Sequence, residues 1–190
     1  MANATIHTVL KAHAAGGPLT LRHPRWADFE TWSILRKDNK EWLSPWEPGW
    51  SDSVLSRVTY RTQLSKYKKL VQNGQAYPFH LYYGAQETLI GACNLTHIER
   101  GSSQSARLGY WVAERFTKQG FARAAVSAVA QFGFETLGLH RIEAAVQPEN
   151  VASITVLESQ KFEREGTARG YLKIDKTWRD HIIFAKLSSD

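Results

Sequence analysis

Cysteine is almost absent from this chain of 190 residues: Cys93 is the only one. No intrachain disulfide can form, and no cysteine cluster can hold zinc. That usage fits a reducing, cytoplasmic setting. Long apolar runs are missing too. Charge breaks every hydrophobic stretch far short of the roughly 20 apolar residues a spanning helix needs, so no membrane segment is expected. The first residues are interrupted by His7, Lys11 and His13 and lack the apolar stretch of a secretory leader. Neither common nucleotide fingerprint occurs: there is no Gly-x-Gly-x-x-Gly and no Gly-x4-Gly-Lys-Ser/Thr, which argues against Rossmann and P-loop enzymes. Internal repeats and low-complexity blocks are also lacking.

What remains is the composition of one folded domain. Hydrophobic residues make up 43% and aromatics 12%, enough for a single packed core. The formal charge of +6 could favour a phosphate-bearing ligand, but it speaks mainly to solubility. Residues 1–17 read as a flexible N-terminal arm ending at Gly16-Gly17-Pro18, and residues 18–190 as one domain. A strand is expected at 19–22. Trp26, Phe29, Trp32 and Leu35 then recur at helical spacing. A loop rich in tryptophan and proline follows at 42–50. Ser51 or Asp52 would cap a second helix ending at Gly74. Strands are expected at 76–83, 88–98 and 106–112, then a helix from Gly120 to Leu137 and a strand at 140–146. A short helix at 152–160 and a closing hairpin, 170–174 with 178–187, complete the chain. The order β-α-α-β-β-β-α-β-α-β-β argues an α/β (α+β) fold: a mixed, mostly antiparallel sheet of about seven strands with helices on both faces.

Two segments carry chemistry. The first is Arg115-Phe116-Thr117-Lys118-Gln119-Gly120, which joins a strand to a helix. The opening N–H groups of that helix have no partner within it, and its dipole favours anions. Gly120 permits close approach, while Lys118 and Arg123 add charge. The outline is a pyrophosphate cradle, though an ordinary strand-to-helix loop would read the same way. The second is Gln147-Pro148-Glu149-Asn150-Val151-Ala152-Ser153. Asn150 can cap the helix it opens or hold a polar ligand, and Ser153 lies about one turn inside.

Several segments in order carry a family resemblance. They are Asn39-Lys40-Glu41-Trp42-Leu43-Ser44-Pro45-Trp46-Glu47-Pro48, Leu108-Gly109-Tyr110-Trp111, Gln119-Gly120-Phe121-Ala122, Leu139-His140-Arg141-Ile142-Glu143, Pro148-Glu149-Asn150 with Ser153, and Tyr171-Leu172-Lys173-Ile174-Asp175 before Trp178-Arg179-Asp180-His181. Together they resemble the GNAT-superfamily N-acetyltransferases, specifically the RimJ/RimL-like ribosomal-protein-alanine N-acetyltransferases, over roughly residues 19–187. Two departures stand out. Thr117 replaces the long polar side chain usual at the start of the acetyl-CoA loop, where Lys118 could substitute. Ser159-Gln160-Lys161-Phe162 replaces the usual Leu-Gly-Phe, so a non-glycine must cap that helix.

The resemblance implies the GNAT fold and transfer of an acetyl group from acetyl-CoA to an amine, foremost the α-amino group of a (ribosomal) protein N-terminus, by direct attack in a ternary complex. It implies that acetyl-CoA meets Tyr110, Trp111, Val112, Lys118, Gln119, Gly120, Phe121, Ala122, Arg123, Asn150 and Ser153, with backbone N–H groups around Trp111 and Val112 facing the oxyanion. Ser153 would protonate the leaving thiolate. Trp46 and Glu47 would meet the acceptor, with Glu47 a candidate catalytic base. Glu143, His80, His97 and His181 remain other candidates. No metal, membrane or direct nucleic-acid contact is implied. Two alternatives stand beside this reading: a small-molecule amine acetyltransferase of polyamine or aminoglycoside type, and a non-catalytic basic module on the ribosome or RNA.

Overall fold

A computed structural model describes residues 5–49 and 52–190. Trp50 and Ser51, which the sequence reading placed in the aromatic loop and at a helix cap, lie outside the described residues. The sheet begins earlier than expected. β1 (Val9–Ala14) pairs antiparallel with β2 (Gly17–Arg22), so these residues form an edge strand and not a loose arm. Lys11 and His13, read as interruptions, are the outward half of a period-2 strand; Leu10, Ala12 and Ala14 face the core.

After β2 come α1 (Phe29–Asp38), α2 (Lys40–Leu43) and α3 (Arg57–Gln72). Asp52 does not cap α3: residues 52–55 form a 3-10 turn, and Ser56 is the cap, its hydroxyl accepting the Thr59 N–H at 3.2 Å. Then follow β3 (Tyr77–Tyr83), β4 (Thr88–Glu99), β5 (Ser105–Val112), α4 (Phe121–Gln131), β6 (Arg141–Val146), α5 (Val151–Ser159), β7 (Glu163–Ile174) and β8 (Thr177–Leu187). A π-helical turn, Phe132–Thr136, prolongs α4, and Gly138 closes it at φ +65°. At the end of α5 Lys161 takes the left-handed conformation, φ +61°, that the missing glycine would have supplied.

Among the described residues the sheet runs β1-β2-β3-β4-β5-β6-β8-β7, eight strands against the seven expected, with β1 the extra one. Every neighbouring pair is antiparallel except β5–β6. Alternation sorts the side chains. Phe79, Leu81, Cys93, Leu95, Ile142 and Phe184 bury one face together with Val126 and Val129 of α4 and Leu157 of α5. Tyr82, Leu89 and Trp111 occupy the other face with Trp32 and Leu35 of α1. Burial pushes the Cys93 thiol well above its ordinary range, so it stays protonated inside the core.

Candidate active site

The parallel pair β5–β6 is joined only at Ser105–Arg107 against Arg141–Glu143. Beyond that point the strands part, and a cleft of about 900 Å³ opens between the C-terminal ends of β5 and β6. The β4–β5 ladder determines which peptide groups face the gap. Ala113 donates its N–H to Ile90 of β4 at 2.8 Å, and the register is regular from Val112 back to Arg107. Peptide groups alternate along a strand, so Trp111 turns its own toward β4, while Tyr110 and Val112 present theirs to the gap. Of the N–H groups expected around Trp111 and Val112, those of Tyr110 and Val112 face the gap, and Trp111 is also among the residues that line the cleft. The Val112 carbonyl is engaged by the Trp42 indole N–H at 3.3 Å.

One end of the cleft is the start of α4. Gly120 precedes the helix at φ +80°, and the first intrahelical bond runs from Ala124 N–H to the Gly120 carbonyl. The N–H groups of Phe121, Ala122 and Arg123 are therefore outside the helical ladder and point out of its N-terminus. Thr117, Lys118, Gly120, Phe121, Ala122 and Arg123 all line the cleft here, Lys118 at φ +60°. The Phe121 ring is buried against Tyr83 and Phe116, so only its backbone is available to a ligand. Gln119 stands outside the lining: its side chain donates to the Arg115 carbonyl at 3.1 Å, and its own carbonyl accepts the Gly16 N–H at 2.9 Å.

α5 flanks the middle. Asn150 is its N-cap, accepting the Ser153 N–H at 3.1 Å, so the capping reading of that residue holds. The Tyr110 hydroxyl donates to the Ser153 carbonyl at 3.0 Å, bolting β5 to α5. Burial raises the Tyr110 phenol far above its ordinary value, and a separate hydrogen bond with the Ser153 side chain only partly opposes this; the phenol stays protonated at neutral pH. The half-buried Ser153 lines the same cleft, and its side chain is in hydrogen-bond reach of the Tyr110 phenol.

The other face of the gap is closed by residues 42–49. Trp46 and Glu47 line it, and Gln147 holds the loop by donating to the Pro45 carbonyl at 2.9 Å. Both Glu47 oxygens are gripped by the Arg36 guanidinium, at 2.9 and 2.5 Å, and Arg36 lies over the Trp111 ring. Glu47 is thus a fixed anion at the rim and not a free carboxylate. Glu143 hydrogen-bonds Arg141 at 2.8 Å and does not line the cleft. The histidines separate clearly. His97 is exposed at a β4 irregularity, and His80 is buried beside Asp28 in a different cavity. His181 lines this cleft, 3% exposed, with Nδ1 donating to the Arg179 carbonyl at 3.0 Å. That bond leaves Nε2 as the lone-pair nitrogen. Since Ala145 pairs with Ile183 and Val146 with Ile182, His181 sits just past the end of β6, on the Trp111 face of the sheet.

The chain matches the family described as "Acetyltransferase (GNAT) domain" over residues 18–163. It is 31% identical over 165 residues to the Escherichia coli "[Ribosomal protein uS5]-alanine N-acetyltransferase", covering 86% of this chain and 85% of that one. Mycobacterium smegmatis RimJ, solved in complex with CoA-disulfide, superposes with a TM-score of 0.90 at 31% identity, covering 96% of this chain and 88% of that one. The ribosomal-protein-S5-alanine acetyltransferase of Vibrio fischeri superposes with a TM-score of 0.85 at 28% identity, over 90% and 94% of the two chains. A parted parallel pair, a bare helix start beside it and these matches lead to one conclusion: the chain belongs to the GNAT acetyltransferase family and is an N-acetyltransferase.

Proposed function

We propose that this enzyme acetylates the α-amino group of a protein N-terminus, with acetyl-CoA and acceptor bound together and the amine attacking directly. The observation that carries the reading is the cleft's two-sidedness. An anion cradle and Ser153 lie on the α4–α5 side, while His181, Trp46 and the Arg36–Glu47 pair lie toward the other. The site suits acetyl-CoA: free N–H groups at α4 for the diphosphate, Lys118 and Arg123 beside them, and the strand-edge peptide groups of Tyr110 for the pantetheine, with the Val112 N–H beyond them for the acetyl carbonyl. Similarity to ribosomal-protein-alanine acetyltransferases supports a protein acceptor, ribosomal among the candidates, and a cytoplasmic place of work.

Acetyl-CoA supplies an activated thioester; this chain supplies orientation and proton handling. The Val112 N–H meets the oxyanion that develops on the acetyl carbonyl. Ser153 donates its hydroxyl proton toward the departing sulfur. His181 Nε2 accepts a proton from the amine, its tautomer fixed by the Arg179 carbonyl. Glu47, held by Arg36, faces the acceptor's ammonium and draws it to the rim. A modest base suffices, because an α-amino group has a pKa near ~8 against ~10.4 for lysine.

The test is acceptor choice. A peptide with a free N-terminal Ala or Ser releases CoA thiol from acetyl-CoA, and the same peptide with a blocked N-terminus and a free internal lysine does not. Preferential acetylation of spermidine or an aminoglycoside would transfer the reading to small amines.

A further inference from the structure

A second cavity, of about 270 Å³, lies behind Trp111 between α1, α3 and strands β3–β5. The sheet register dictates its floor. His80 on β3 pairs with Ala92 on β4, and Ala92 pairs with Trp111 on β5, so the three side chains stand in one row on one face. Asn94, two residues along β4, joins them, and Gln63 and Tyr67 of α3 form the opposite wall. Asn94 and Trp111 also line the acetyl-CoA cleft, so these two residues border both voids.

The lining mixes apolar and aromatic groups with polar ones, and part of the polar hydrogen-bonding capacity is unspent. Asn94 Oδ1 accepts the Phe79 N–H at 3.0 Å, which leaves its NH2 over. His80 turns Nδ1 toward the Tyr82 hydroxyl at 3.5 Å and Asp28 at 3.9 Å, which leaves Nε2 for the cavity. Burial holds the His80 imidazole down to about 4, with Asp28 only partly offsetting it, so at neutral pH Nε2 is an uncharged group. Arg36 at the mouth is paired with Glu47. The cavity therefore offers hydrogen bonds without net charge.

We infer that this cavity seats the side chain of the acceptor's first residue and favours a hydroxyl-bearing one, serine or threonine. The inference rests on the N-terminal reading above. An attacking nitrogen must come within ~3–3.5 Å of the acetyl carbon, which the Val112 N–H places beside Trp111. The first side chain leaves the chain one atom from that nitrogen, next to the void that Trp111 and Asn94 open. At ~30 Å³ per water the space holds about nine waters, room for a small side chain with water to spare. A methyl group there would displace water from Asn94 and His80 and return no hydrogen bond; a hydroxyl replaces what it displaces.

The experiment compares kcat/KM for Gly-, Ala-, Ser- and Thr-started peptides in the parent and two variants. The parent prefers Ser and Thr over Ala at least fivefold. Ala92→Leu fills the cavity from its floor and lowers the Ser-to-Gly ratio at least tenfold, while acetyl-CoA still raises Tm as in the parent. Gln63→Leu, on half-buried helix surface, moves the Ser-to-Ala ratio toward one. Equal rates with Ser and Ala in the parent, or ratios unchanged in both variants, overturn the inference and leave the N-terminal reading standing. Acetylation of small amines but of no peptide overturns both.

Discussion

Gly16 donates its N–H to the Gln119 carbonyl at 2.9 Å, tying the β1–β2 turn to the loop that opens α4. The approach is close on both sides. A side chain at Gly16 would meet the Phe121 ring at 2.8 Å, and one at Gly120 would meet the Ala15 nitrogen at 3.2 Å. The N-terminal hairpin is thus the back wall of the anion cradle. Gly16→Val should displace Phe121, costing ~1–3 kcal/mol of stability and raising the Kd for acetyl-CoA at least about fivefold. Titration calorimetry on the folded variant checks it; an unchanged Kd would detach the hairpin from the cradle.

The cradle itself is best probed at Ala122. Gly120→Glu would add strain of its own, since φ there is +80°. Ala122 is the second helical residue and lines the cleft, so Ala122→Glu brings a carboxylate to the diphosphate position while suiting the helix dipole. The expected outcome is a protein at least as stable as the parent that has lost at least about tenfold in acetyl-CoA affinity. Thermal melts with and without acetyl-CoA report both quantities.

Ser153→Ala removes the proposed proton donor to sulfur without touching the Asn150 cap, which uses only the Ser153 N–H. kcat should fall by roughly 10²-fold, with acetyl-CoA affinity little changed. Normal turnover would reassign the role to water.

His181→Gln keeps a hydrogen-bonding side chain but removes the base. kcat/KM at neutral pH should drop by ~10²–10⁴. The deficit should shrink above pH ~8, where the α-amine is already free. A deficit constant with pH would mean that His181 positions the acceptor and takes no proton.

His80 yields a stability prediction with a definite sign. Its folded pKa, about 4, lies below the unfolded value of 6.5, so between these limits the unfolded chain binds more protons. Stability therefore falls as pH drops through that window, by about 2 kcal/mol between pH 7 and pH 5. His23, also lowered by burial, acts in the same direction. Asp28 contributes only at lower pH: burial alone would raise its carboxyl, but Arg22 and the Arg25 N–H outweigh this and hold it below its usual range. Urea unfolding at the two pH values should give a smaller difference in His80→Gln than in the parent; equal differences would rule His80 out as the titrating group.

Local signals were the legible ones. Gly120 before a helix, Asn150 as a cap and Gly138 as a stop depend on a few adjacent residues, and each stands where expected. Strand β1 was hidden because two of its outward positions are Lys11 and His13, which look like breaks until the pairing with β2 defines a face. Ser56 lost to Ser51 and Asp52 as cap because several adjacent residues could serve. Contacts that shape the site lie further apart: Arg36 with Glu47 across 11 residues, Trp42 with Val112 across 70, Gln147 with Pro45 across 102. No periodicity announces them. His181 could be seen as an ionisable residue, but its place past the end of β6 follows from register, which the sequence does not display.

The short pairing between β5 and β6 makes this sheet two half-sheets sharing a brief seam. β1–β5 form one leaf and β6, β8 and β7 the other, and the ladder between them spans only 105–107 against 141–143. A ligand lying along the open stretch, bonded to Tyr110 and Val112, would extend that seam like a stitch. Occupancy should then be read in amide exchange at these positions and in the stiffness between the leaves. The missing rungs of the ladder are where the protein leaves room for its substrate to become, briefly, part of the fold.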